Sequence, residues 1–165
     1  MSKTHNITLY FSELFYDARN KTYLVARGAE MPYKQEAYAQ LTEDEAEKEQ
    51  FNRSVSTAFA KCVEALYPYT KEAVEDGDET NDKLSRDTIY EIALLLPDDM
   101  SKTSISLVTN YLHDFIVCYA LYDWYSLTSA GGGDDWLLRA NAALEQVRTR
   151  LNARINRVRR KLTPF

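Results

Sequence analysis

Residues 103–128 constrain this chain more than any other stretch. They read TSISLVTNYLHDFIVCYALYDWYSLT. Ile105, Val108, Leu112, Phe115, Tyr119 and Tyr122 recur at alternating spacings of three and four, the rhythm of a helix buried along one seam. From Phe115 to Tyr122 every face is apolar or aromatic, so this helix needs neighbours on several sides. At 1.5 Å per residue it would be about 35–40 Å long, the span of a small domain. The rest of the chain is therefore expected to pack around it.

The flanking sequence supports further helices. Ser12 can cap a helix over 13–27, with Gly28 suited to its end. Thr42 and Glu45 fit a reciprocal capping box before a helix carrying Phe51, Val55, Phe59, Cys62, Val63 and Leu66. Pro68 should end or kink that helix, or allow it to run on to about Val74. Ser85 can cap a short helix over 86–96, with Ile89, Ile92, Ala93 and Leu96 inward. Leu137, Ala140, Leu144, Val147, Leu151, Ile155 and Val158 define a last helix over 134–160. The small residues 129–133 between it and the central helix predict an antiparallel helical hairpin. Ile7 to Phe11 alternates as a short strand or arm would, but no second strand is evident to pair with it.

The expected fold class is thus all-α: one helical domain over 1–165, a bundle of four to five helices with a long central helix and a C-terminal antiparallel hairpin. Residues 1–11 form an N-terminal arm or short strand, and 154–165 a basic docking segment. Five Gly and four Pro among 165 residues fit helices better than a sandwich or barrel. Twelve tyrosines suit a chain with large protein interfaces, because the ring is buried while the hydroxyl stays wet. The sequence presents neither a signal peptide nor an apolar run of the ~20 residues that a bilayer span requires, so a soluble protein is expected.

The formal net charge of −5 conceals a division. Residues 139–165 carry eight basic side chains against Glu145 alone, a net of +7, leaving −12 on residues 1–138. Such asymmetry suggests contact with nucleic acid, with an acidic partner, or head-to-tail between copies.

No catalytic constellation stands out. His113 and Asp114 are adjacent on the central helix, so they point about 100° apart and do not converge. Asp123 lies on the same helix, and His5 is the only other histidine. Cys62 and Cys118 fall on apolar helix faces and read as reduced core thiols. Asp76, Asp78, Thr80 and Asp82 alternate as calcium ligands would, but Asn81 replaces the turn glycine and Asp87 the bidentate Glu. Gly131–Gly133 precede a helix as in a phosphate cradle, yet Asp134 and Asp135 would repel phosphate. Neither an enzyme, a metal site nor a cofactor is expected.

The most informative charged stretch is 154–165. Arg154, Arg157, Arg159, Arg160 and Lys161 surround an apolar stripe that Leu151, Ile155, Val158 and Leu162 continue, and Phe165 follows Pro164. A DNA-binding helix would use these cations with Arg148 and Arg150 on phosphates. The stripe and the lack of a helix-turn-helix context favour a docking element, with Arg154, Arg157, Arg159, Arg160, Lys161, Leu162 and Phe165 as partner-binding residues.

The ordered segments NITLYFSELFYDARNKTYL, FNRSVSTAFAKCVEALYPY, IALLLPDD, YLHDFIVCYALYDWYSLT and RINRVRRKLTPF give the chain a resemblance. It resembles small helical proteins from structural-gene blocks of tailed phages and prophages of Bacteroidales, which are similar to head–tail connector, or neck ring, proteins. The resemblance implies a structural virion protein of the neck, assembled in the bacterial host cytoplasm. It implies a ring of about twelve copies with closed symmetry. It also implies contact with the portal protein or an adjacent ring, with DNA only as passing cargo. By the same resemblance, 154–165 is the segment that reaches the neighbour.

Overall fold

The computed structural model describes residues 2–28, 40–70, 89–97, 100–128 and 133–152. In chain order these form β1 (Ser2–Tyr10), α1 (Phe11–Gly28), α2 (Glu45–Thr70), β2 (Ile89–Pro97), α3 (Lys102–Thr128) and α4 (Gly133–Asn152). The centre is α3. Phe115, Ile116, Val117, Cys118, Ala120 and Leu121 are all buried, so its middle is enclosed on every side. α4 lies along it most extensively, while α2 and α1 cover other faces. Ser101 caps its start: the Ser104 amide donates to Ser101 Oγ at 3.1 Å.

α3 and α4 form the expected antiparallel hairpin. Trp136, in the first turn of α4, stacks on Tyr125 near the end of α3, with ring centroids 6.1 Å apart. Gly133 has a packing reason. A Cβ there would stand 3.2 Å from the Tyr122 ring and 3.3 Å from its carbonyl oxygen, so any larger residue would force α3 and α4 to give by a few tenths of an ångström at that position. The portion of the expected helix over 153–160 lies outside the described residues, as do the acidic loop 75–82 and Gly131–Gly132.

The all-α expectation is corrected. The protein is mostly helical, but β1 and β2 form a two-stranded antiparallel sheet. The short helix expected over 86–96 is a strand from Ile89 onward. Tyr90, Ile92, Leu94 and Leu96 are buried and alternate with outward residues. The same run also offers Ile89, Ile92, Ala93 and Leu96 at helical spacing, and a short apolar run satisfies either period. The partner decides: Ile7 pairs with Ile92 and Leu9 with Tyr90, one continuous apolar face. Tyr90 also fastens β2 to α2. Its ring lies 5.0 Å from that of Phe59, and its hydroxyl donates to Asn52 Oδ1 at 2.9 Å.

The capping expectation before α2 also needs adjustment. Thr42 does engage a glutamate, but the partner is Glu47: its Oε2 accepts from the Thr42 amide at 2.7 Å and hydroxyl at 2.6 Å. The Lys48 amide bonds the Asp44 carbonyl at 2.9 Å, so Asp44 opens the helix and Glu47 occupies the reciprocal position. α2 then continues through Pro68 to Thr70.

Candidate functional site

The side chains that sequence reading singled out for chemistry go to separate structural tasks. His113 Nε2 lies 2.8 Å from Asp17 Oδ2, while Asp114 Oδ1 accepts from Lys21 Nζ at 3.2 Å. Asp17 and Lys21 are four apart on α1, so one helical turn presents both partners to adjacent residues of α3. These are clasps between α1 and α3. Asp123 accepts a hydrogen bond from the buried Ser54 and clasps α3 to α2. Cys62 is fully buried, and desolvation pushes its thiol far up from the ordinary value. Cys118 is also buried and shifted upward by desolvation, with Lys21 and Arg139 opposing and Asp114 adding to the rise. Both thiols are therefore poor nucleophiles. Among the described residues no group of three or more His, Cys, Asp and Glu side chains comes together. No helix among them is long and apolar enough to cross a membrane.

Arg154, Arg157, Arg159, Arg160, Lys161, Leu162 and Phe165 lie outside the described residues. Their point of departure is described. α4 ends at Asn152 beside Tyr69, whose hydroxyl donates to Asn152 Oδ1 at 2.8 Å. Two cations just before that point are already engaged or enclosed. Arg148 Nη1 donates to Glu145 Oε1 at 2.6 Å, and Arg150 Nε is buried.

A surface that sequence reading missed lies at the other end of α2. A groove of about 880 Å³ opens where β1 passes into α1 and where α2 begins. Its floor is aromatic. Phe11 stacks on Phe15 at 5.8 Å, and Phe15 is backed by the core residue Phe51, which it meets edge-on at 5.6 Å. Its apolar rim comes from three elements: Tyr10 is 47% exposed, Tyr16 63% and Ile89 50%. Tyr10 and Ile89 are direct cross-strand neighbours, so the sheet delivers them side by side. The charged rim is Glu43, Glu45, Glu49, Arg19 and Lys48. Arg19 is paired with Glu43, and Lys48 Nζ sits 5.8 Å from the centre of the Phe15 ring. The sequence signal was the cluster Tyr10, Phe11, Phe15, Tyr16, in which the two phenylalanines face the core and the two tyrosines face water. Ile89 was hidden by the helical reading of its segment.

No family model matches this chain, and neither the curated proteins nor the solved structures show a significant similarity to it.

Proposed function

We propose that this chain is a structural subunit of the head–tail connector of a tailed phage. It forms a ring around the DNA channel and reaches the portal protein or an adjacent ring through residues 154–165. The observation that carries this reading is the opposition of charge along the molecule. The body over 1–138 is acidic at −12, residues 139–165 carry +7, and five of those cations, Arg154, Arg157, Arg159, Arg160 and Lys161, follow the Tyr69–Asn152 contact in sequence. An acidic body suits a channel through which duplex must slide, because it does not hold phosphate. A basic segment with apolar side chains at intervals suits an acidic protein neighbour, the charges setting encounter and orientation and the apolar groups holding the contact.

The competing reading is a helical DNA-binding or regulatory protein using the same cations. The basic run favours it, although Arg148 is already paired with Glu145. Electron cryomicroscopy of the particle that carries the chain discriminates the two. The connector reading expects density for this chain between portal and tail. A chain absent from purified particles, with salt-dependent duplex binding that is lost on removing 148–165, contradicts it.

A further inference from the structure

We infer that the groove formed by Tyr10, Tyr16 and Ile89 over the Phe11–Phe15 floor is the acceptor for the basic segment 154–165 of a second copy of this chain. The inference rests on the connector reading, keeps 154–165 as the docking element, and makes the neighbour it meets another copy in the ring rather than the portal protein. Three observations carry it.

The first is chemical fit. The segment offers Leu162 and Phe165 between cations. The groove offers an aromatic floor, exposed apolar rims from three elements, and an adjoining helix start where Glu43, Asp44, Glu45, Glu47 and Glu49 stand against Arg19 and Lys48, a net of −3. Arginine and lysine on the incoming segment meet acidic side chains at the rim, while Leu162 and Phe165 cover apolar surface. The rim cations Arg19 and Lys48 do not oppose this strongly. Arg19 pairs with Glu43, which takes both out of the balance, and Lys48 leans over Phe15, so Asp44, Glu45, Glu47 and Glu49 carry the acidic excess.

The second is position. The groove lies at the first turns of α2, and the segment departs beside Tyr69 at its last turn. From Lys48 to Tyr69 is about 30 Å along the helix axis. The point where the chain runs on into the segment and the groove therefore stand at opposite ends of α2.

The third is symmetry. Donor and acceptor at opposite ends make a heterologous, head-to-tail contact, the kind that closes into a ring when the rotation per subunit permits.

The test uses two variants of the full chain. One carries Tyr16→Ser with Ile89→Ser, both at exposed positions where the fold loses little. The other carries Leu162→Ser with Phe165→Ser. Leu138→Ser, at an exposed site on α4, is the control. Sedimentation velocity should find wild type and control as oligomers and each double variant as a monomer. An equimolar mixture of the two variants should stop at a heterodimer, because one supplies only the segment and the other only the groove. A photo-crosslinker in place of Phe165 should join isotopically heavy to light copies at β1, α1 or the start of α2. A fluorescent peptide of residues 150–165 should bind the groove variant about tenfold or more weaker than the Leu162→Ser/Phe165→Ser chain. If the groove variant assembles normally while the segment variant does not, the segment docks elsewhere: this inference falls and the connector reading stands. Crosslinks confined within one copy, or a wild-type chain that stays monomeric at high concentration, overturn the inference. Loss of duplex binding as the segment variant's only defect overturns the connector reading as well.

Discussion

Tyr69 Oη donates a 2.8 Å hydrogen bond to Asn152 Oδ1, joining the last turn of α2 to the last turn of α4. This contact fixes the point on the folded body from which the chain runs on into the basic residues. It sets that point at the opposite end of α2 from the aromatic groove, whose α2 lining runs from Glu45 to Asn52. Everything proposed for assembly follows from that separation.

The sheet makes the first prediction. Leu94 is fully buried and its neighbour Leu95 is 37% exposed, as the two sides of a strand require. Leu94→Ala should cost about 2–5 kcal/mol. Leu95→Ala should stay within about 0.5 kcal/mol, the range for surface sites. Urea unfolding of the two variants measures both, and equal losses would contradict the register.

The hairpin makes the second. Gly133→Ala should lower stability by about 1–3 kcal/mol, because the new methyl meets the backbone carbonyl of Tyr122 at 3.3 Å and that carbonyl is held within α3. Alanine's better helix propensity offsets only part of this, about 1 kcal/mol at most. A thermal midpoint at or above wild type would show that the helices separate freely.

Burial of the thiols makes the third, and its sign can be worked out. The folded thiols of Cys62 and Cys118 ionise above the ordinary value of 9.0, so the folded state keeps protons that the unfolded state loses. Their contribution is intact below that value and declines as pH rises through it, by at most about 1.4 kcal/mol per pH unit per thiol. Tyr125, also shifted upward by burial, adds to the decline at higher pH. Urea titrations from pH 7 to 10 should show stability level at first and falling above about pH 9. The slope should be shallower in Cys62→Ala. A thiol reagent should label neither cysteine in the native protein at pH 7, and prompt labelling would contradict their burial.

The clasps make the fourth. Lys21→Ala removes a partly exposed ion pair with Asp114 and should cost no more than about 1 kcal/mol in chemical unfolding. A larger loss would mean that α1 depends on this pair more than on Leu14, Ala18 and Phe15, which are buried against the body.

Much of the fold was legible because α3 and α4 repeat one period for many turns. Over such lengths no strand pattern competes, and the ends of α3 at Lys102 and Thr128 fall where capping and composition set them. The strand at Ile89–Pro97 was illegible for two reasons. It is short enough for its apolar residues to fit both periods, and its partner lies far away in sequence, with Ile7 against Ile92. The pairing supplies what local sequence lacked. The groove was illegible for the same reason. Tyr10 and Ile89 become neighbours only through that sheet, and Tyr16 reads as a surface residue until they join it. By contrast, the docking role proposed for 154–165 rests on charge and stripe, which suggest a contact without identifying what it meets.

The most direct test of the account is sedimentation velocity and thermal unfolding on two chains, the full one and one lacking residues 154–165. The last described core residue of α4 is Leu151, so the deletion removes none of the described core. The account predicts oligomers for the full chain, a folded monomer for the shortened one, and thermal midpoints within about 2–4 °C of each other. A shortened chain that still assembles, or one that fails to fold, contradicts it.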